Sequence, residues 1–423
     1  MTAKGRHIIY YKEIPVGEYD SIADLRLYSP ADIYLDNADK FDDEGIMQDS
    51  IETVIANLHT FLSGNLPQGI RYKILTEKMQ STGLLDLIKG IDEFSGDISI
   101  DKADKRTYMA VPEHISAGPG LLCSVPGEDF MITSSDRGRG ERPSSMSGYF
   151  DKFTAVLEDT SDGPTLRKTE WKDEVGNVIV KPQGEYFPLI ALNEALCISL
   201  AGACGMDVMR SWTVSAEAGF EKKIHFVTER FGVNKTQEGT VLRDLIFDTG
   251  MLLAGNIKDH YSISSEKYFD FMREILPDED MKKFMKAYLF GYITGNSDMH
   301  VKNFSVRYTT EGFRLMPFYD LVSYKPYGNK NDLALTIGGR EFVSEKKFID
   351  FMAKQGMPED EILKMAASVE DNFDLTAKKY TDICDIRGTT LIASIRDFAV
   401  KRCTAINREI ALKRDMPREE TER

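Results

Sequence analysis

The stretch GNSDMHVKNFSVRYTTEGFRLMPFYD, residues 295–320, decides how this chain is read. It opens with the densest polar cluster of the sequence, in which Asp298 and Asn303 are separated by four residues. An Asp and an Asn set between a helix and a strand form a loop suited to phosphoryl transfer. The Asp can orient a hydroxyl and accept its proton, while the Asn amide oxygen binds a divalent metal. The next acidic residue in apolar surroundings is Asp320, after LMPFY, where a carboxylate leaving the end of a strand would be the main Mg²⁺ ligand. Capping of turns is the ordinary use of Asp and Asn in loops. Three such residues in this order, behind an apolar helix and across a hairpin, favour the chemical reading. His300 lies inside the cluster and either supports the loop or touches phosphate.

Upstream of the cluster, residues 281–292 place Phe284, Leu289 and Tyr292 along one side of a helix. From about residue 241 onward the pattern is mainly helical, broken once by the hairpin whose strands FSVRY and FRLMPFYD flank residues 309–312. Three further helices are expected to start near Glu345, Pro358 and Thr390, followed by the charged tail MPREETER. Before residue 241, FTAVLED, a turn at Asp162-Gly163, VIVK and HFVTERF read as short strands, and residues 190–205 between the last two recur at helical spacing. The first residues alternate apolar and polar as a small β-rich module, residues 51–91 turn helical, and residues 102–113 read as a polar linker. The expected boundaries are 1–101, 102–235, 236–415 and a tail over 416–423.

Lys181 closes the strand VIVK ahead of Pro182. A lysine on a core strand needs anions, which nucleotide phosphates or a carboxylate would supply, and Glu194 on the following helix is the candidate carboxylate. An edge lysine with a surface glutamate is the competing reading. The segment Ser144-Ser145-Met146-Ser147-Gly148-Tyr149-Phe150-Asp151-Lys152-Phe153 can turn backbone N–H groups toward phosphate, although its single glycine misses both common phosphate-loop patterns. Arg137, Arg139 and Arg142 form a basic run that reads first as a solvated loop.

Composition narrows the classes. The chain has 423 residues, with 42% hydrophobic and 29% charged, which is globular and excludes low-complexity and collagen-like classes. Lys and Arg number 53 against 68 Asp and Glu, a net charge of −15 that repels phosphate backbones and anionic lipid. Five widely spaced cysteines without a C-x-x-C pair read as free thiols, and six scattered histidines cannot furnish a dinuclear phosphoesterase site. With no apolar leader or membrane-length run, the expected location is cytoplasmic, with no membrane partner.

SMSGYFDKF, VIVKP, NEALCISLAGACGMDV, VTERF, GNSDMHVKNFSV and LMPFYDLVS, in this order, resemble the HipA family of bacterial serine/threonine kinase toxins. The resemblance implies an α+β, bilobal protein-kinase-like fold with a small β-rich N-terminal subdomain and an α-rich C-terminal lobe. It implies ATP and Mg²⁺ as cofactors, Asp298 as catalytic residue, Asn303 and Asp320 as metal ligands, and Lys181 as the nucleotide lysine. Ser147, Gly148, Asp151, Lys152 and Phe153 would form the phosphate loop, Glu229 and Phe231 the adenine hinge, and His300 and Lys302 further nucleotide contacts. A phosphate-loop serine, matching Ser145 with Ser147 as second candidate, would be autophosphorylated and silence the kinase. The implied partners are a helix-turn-helix antitoxin of the HipB type, operator DNA reached mainly through it, and a protein substrate such as an aminoacyl-tRNA synthetase. Phe150, where a Gln is common, and RDLIFDTG depart from the family pattern. A kinase-fold co-repressor scaffold is the alternative reading. The set Lys181, Asp298, Asn303 and Asp320 argues against it, because a scaffold has no physical need for a metal carboxylate and amide.

Overall fold

The computed structural model describes residues 7–11, 14–19, 26–27, 98–101, 107–108, 111–112, 115, 152–161, 163–167, 174–183, 187–218, 221–230, 232–235, 241–243, 246–253, 261–309 and 312–415. The helix expected over 51–91, the arginine run, segment 144–151 with Ser145, Ser147, Gly148 and Asp151, Phe231 and the tail 416–423 lie outside the described residues.

The alternation at the start of the chain does form strands. β1 (His7–Tyr11) and β2 (Ile14–Tyr19) pair antiparallel, and Ile9, Ile14, Val16 and Tyr19 are buried. β3 (Arg26–Leu27) and β4 (Ile98–Ile100) extend the two edges of this sheet. Residues 102–113, expected as a linker, contain the two-residue strand β5 (Thr107–Tyr108).

The next unit is a five-stranded antiparallel sheet. It contains β6 (Phe153–Thr160), β7 (Gly163–Arg167) and β9 (Val178–Lys181), with the short β8 (Glu174–Val175) pairing in parallel with β5. After helix α1 (Ile190–Ala203) come β10 (Ser211–Ala218) and β11 (Glu221–Glu229), giving the order β10-β11-β9-β6-β7. One face buries Phe153, Ala155, Leu157, Val178, Val180, Trp212 and Val227. With a side-chain period of two, Lys181 must then point to the opposite face, where Phe226 is its cross-strand neighbour and α1 packs. α1 is apolar nearly all round because it lies between this sheet and the helical lobe, so its two buried polar residues, Asn193 and Glu194, need internal partners.

The expectation of helix from residue 241 needs correction. β12 (Val233–Lys235) pairs with β13 (Val241–Arg243), and β14 (Ile246–Asp248) joins the hairpin of β15 (Ser305–Thr309) and β16 (Gly312–Leu315). β14 has three residues and its partner is far away in sequence, so local periodicity carries no signal for it. The helices are α2 (Thr249–Leu252), α3 (Ser265–Ile275), α4 (Asp278–Thr294), α5 (Glu345–Lys354), α6 (Glu359–Thr381) and α7 (Ile386–Asp415). α7 begins before Thr390. Among the described residues no helix is long and apolar enough to cross a membrane.

α4 is the axis of the helical lobe. Phe284, Leu289 and Tyr292 are buried as expected, and Tyr292 stacks on Phe348 at 3.7 Å between ring centroids. Three acidic residues in its first turn suit the helix dipole. One of them, the buried Asp280, also ties the helix to β16 by accepting from Arg314 Nε at 2.9 Å and from the Leu315 N–H at 3.1 Å. At the other end Gly295, with φ +76°, terminates α4 in the left-handed region. A β-carbon there would lie 2.5 Å from Lys325 Cγ, so both conformation and space demand glycine at the start of the polar loop. α7 closes the lobe from behind through the buried Arg402, which pairs with Asp332 at 2.6 Å and lies over the Tyr292 ring.

Candidate active site

Four chain segments meet at Lys181. Its ammonium lies 2.6 Å from Glu194 Oε1 and also hydrogen-bonds Asp320 Oδ1, so strand β9, helix α1 and the segment after β16 are joined by one cation. Burial disfavours that cation, yet the attraction of Asp320 and Glu194 outweighs the cost and holds its pKa above the ordinary lysine range. Asp320 is also opposed by burial, but Lys181 and then Lys152 draw its carboxyl down to about 2. Glu194 moves the other way, because burial dominates and lifts it above the usual carboxylate range. Lys152, the first described residue of the Ser- and Gly-containing segment, supplies the fourth segment: it acts electrostatically on both acids.

The geometry of Asp320 is set by its neighbours. The residue adopts φ +52°, unusual for a non-glycine side chain. Asn193 of α1 grips the chain three residues later, accepting from the Ser323 N–H at 2.9 Å and donating to the Ser323 carbonyl at 2.8 Å. Asn296 links the two acidic positions, donating to the Asp320 carbonyl at 3.3 Å and accepting from the Asp298 N–H at 3.2 Å.

Within the polar loop, Asn303 Nδ2 donates to the Asp298 carbonyl at 2.8 Å. That bond turns the amide so that Oδ1 is the atom offered to a cation. His300 caps the short 3-10 turn Val301–Asn303 through Nδ1, which accepts from the Lys302 N–H at 3.2 Å, and its ring acts on Asp320. The Asp298 carboxylate receives two phenols: Tyr261 donates to Oδ1 at 2.6 Å and Tyr324 to Oδ2 at 3.1 Å.

The remaining expected residues divide. Lys302 is buried with its Nζ without a hydrogen-bond partner, and it packs toward α2, where its charge moderates Asp248, whose carboxyl burial pushes up to about 6. Phe153 has its side chain in the core on the sheet face away from Lys181, so toward a nucleotide it offers main chain. Glu229 ends β11 and ion-pairs with Arg210 at 3.7 Å. The N–H groups of Glu229 and Arg230 are committed to the Arg210 and Asn177 carbonyls, so an N–H donor to an adenine must come from residue 231 or beyond. Sequence reasoning missed Tyr261, Tyr324, Asn193 and the bridging role of Asn296. Asn296, Tyr324 and Asn193 lie within or next to the quoted motifs, whereas nothing around Tyr261 marks it.

These donors fit a divalent ion held with phosphates. Among the described residues there is no cluster of three or more His, Cys, Asp or Glu side chains able to hold a metal. One carboxylate and one amide suit Mg²⁺, which takes few protein ligands and completes its shell with phosphate oxygens and water.

A lysine on an antiparallel sheet paired with a helix-borne glutamate, facing an α-rich lobe that presents Asp298, Asn303 and Asp320, defines a protein-kinase-like fold. The chain belongs to the family of the HipA-like C-terminal domain, whose model matches residues 144–376. Among curated proteins it is 29% identical over 213 residues to a Haemophilus influenzae protein named "Putative kinase", covering 47% of this chain and 58% of the relative. It is 31% identical over 176 residues to the "Putative kinase Y4mE" of Sinorhizobium fredii, covering 40% of each. The chain thus spans about half the length of these relatives. The fold matches HipA in the Shewanella oneidensis HipA, HipB and operator DNA complex with a TM-score of 0.66 at 19% identity, over 97% of this chain and 100% of that one.

Proposed function

We propose that this protein is an ATP- and Mg²⁺-dependent serine/threonine kinase acting as the toxin of a toxin–antitoxin pair. The observation that carries the reading is the convergence of Glu194 and Asp320 on Lys181, beside a loop in which Asn303 is locked onto Asp298. Lys181 binds nucleotide phosphate oxygens, and Glu194 keeps its ammonium aimed. Asp320 and Asn303 hold the metal, and Lys152 adds positive charge on the phosphate side. Asp298 orients the acceptor hydroxyl and takes its proton. When bound, Mg²⁺ and the triphosphate supply charge neutralisation and the electrophilic phosphorus.

The family resemblance supports autophosphorylation at Ser145 or Ser147. A phosphate there would add about −1.5 to −2 of charge beside the nucleotide's own and weaken ATP binding. It also supports a HipB-type antitoxin as partner, through which this acidic chain would reach operator DNA. Peptide mapping after incubation with Mg-ATP tests the regulatory part. Phosphate on Ser145 or Ser147 with weakened ATP binding supports it; phosphate only at other positions, or unchanged binding, removes it.

A further inference from the structure

The two phenols on Asp298 are not equivalent. Tyr324 is half-buried and packed: its N–H donates to the Gly295 carbonyl at 3.0 Å, and its ring meets Phe187 and Tyr327 edge-on. Tyr261 is 48% exposed, lies ahead of the Ser264 cap of α3, and rests edge-on against the His300 ring at 4.8 Å. Its hydroxyl meets Oδ1 at 2.6 Å, within the reach of about 2.6–3.2 Å at which an acceptor hydroxyl must stand to surrender its proton to a base. Tyr261 thus makes from within the chain the contact that a protein acceptor has to make from outside.

We infer that Tyr261 holds the acceptor position: its phenol stands in for the hydroxyl of the phosphoryl acceptor, and an incoming serine or threonine must displace it from Asp298. The inference rests on the kinase reading above. Its chemical consequence concerns water. A base left open beside a bound triphosphate would orient water as an acceptor and waste the nucleotide, and a phenol on Oδ1 denies water that place. The phenol does not itself ionise there. Partial burial and the Asp298 charge push its pKa well above the ordinary tyrosine range, so it plugs the site as a neutral donor. The exposure of Tyr261 and its place in the turn ahead of α3 allow it to leave, whereas the packing of Tyr324 keeps the base aimed when it does.

The test is the initial rate of ADP release by the full chain with Mg-ATP and no added acceptor, for wild type, Y261F, Y261L and D298N, with ATP affinity measured alongside. Y261F and Y261L are expected to release ADP about three- to tenfold faster than wild type at unchanged ATP affinity. If wild type exceeds D298N but the two Tyr261 variants are no faster than wild type, the inference fails and the kinase reading stands. Phosphate recovered on Tyr261 would equally overturn it, since the phenol would then be an acceptor. If wild type and all variants remain at the D298N level with Mg-ATP bound, the kinase reading falls and the inference with it.

Discussion

Around Lys181 the cleft is made of full charges: one ammonium between two carboxylates, with Lys152 acting on both acids. Around Asp298, in the same cleft, a single carboxylate is held by neutral phenols, one packed and one exposed. Under the proposed function the difference matches what each side would bind. A nucleotide brings several negative charges and a cation, so its side must hold fixed charge of both signs that can be repartnered when it arrives. An acceptor hydroxyl brings no charge, so its side needs one base whose orientation is set and whose open lone pair is kept from water. Lys181 already grips both acids, and under the proposed function nucleotide binding would exchange part of that grip for phosphate, while an acceptor would take the place of Tyr261 on Asp298.

The sharpest way to break this contrast is at Asp320. Asp320→Ala removes the metal carboxylate and is expected to lower phosphoryl transfer by about a thousandfold or more with the fold retained, as read by transfer rate and circular dichroism. Lys181→Met on the same side should weaken ATP binding together with turnover, because under the proposed function its ammonium contacts the phosphates. Activity near wild type in the Asp320 variant would return that residue to turn capping.

A smaller effect is expected on the acceptor side. Tyr324→Phe deletes one neutral hydrogen bond to the base, so turnover should fall by about three- to tenfold while ATP affinity is unchanged. A loss of ATP affinity in that variant would mean that the two sides are coupled more tightly than their separate contacts imply.

The smallest effect is on stability against pH. The carboxyl of Asp320 is lowered from 3.8 to about 2, so the ionised form is favoured by folding. This contribution is fully present above the unfolded value and is lost as pH falls from about 4 through about 2. The Asp320 side chain remains 34% exposed, and solvent screening reduces the contribution to on the order of 1 kcal/mol. The unfolding free energies of wild type and Asp320→Asn should therefore differ above about pH 4 and converge as pH falls toward about 2.

How much of this was legible in the sequence depended on sequence distance. The polar loop could be read because Asp298 and Asn303 share one turn of chain, and the bond from the Asn303 amide to the Asp298 carbonyl follows from that spacing. Lys181 and Glu194 were readable as candidates because a strand leads directly into a helix, but their pairing could not be decided until the sheet face was known. Asn193 and Tyr261 act across 130 and 37 positions on Ser323 and Asp298, and no local pattern marks such contacts. The same reason hid β14, which exists only because β15 lies beside it, and β10, which was left out of the expected strand, helix, strand order although it pairs along the whole of β11.

The central claim is that Asp298 acts as a base for phosphoryl transfer in this chain. Intact mass spectrometry of the full protein after incubation with Mg-ATP, beside Asp298→Asn treated identically, tests it most directly. The account predicts that wild type gains phosphate and the Asp298→Asn protein, equally folded and equally able to bind ATP, does not. Equal phosphate gain in both proteins, or none in wild type while Mg-ATP is bound, would contradict it.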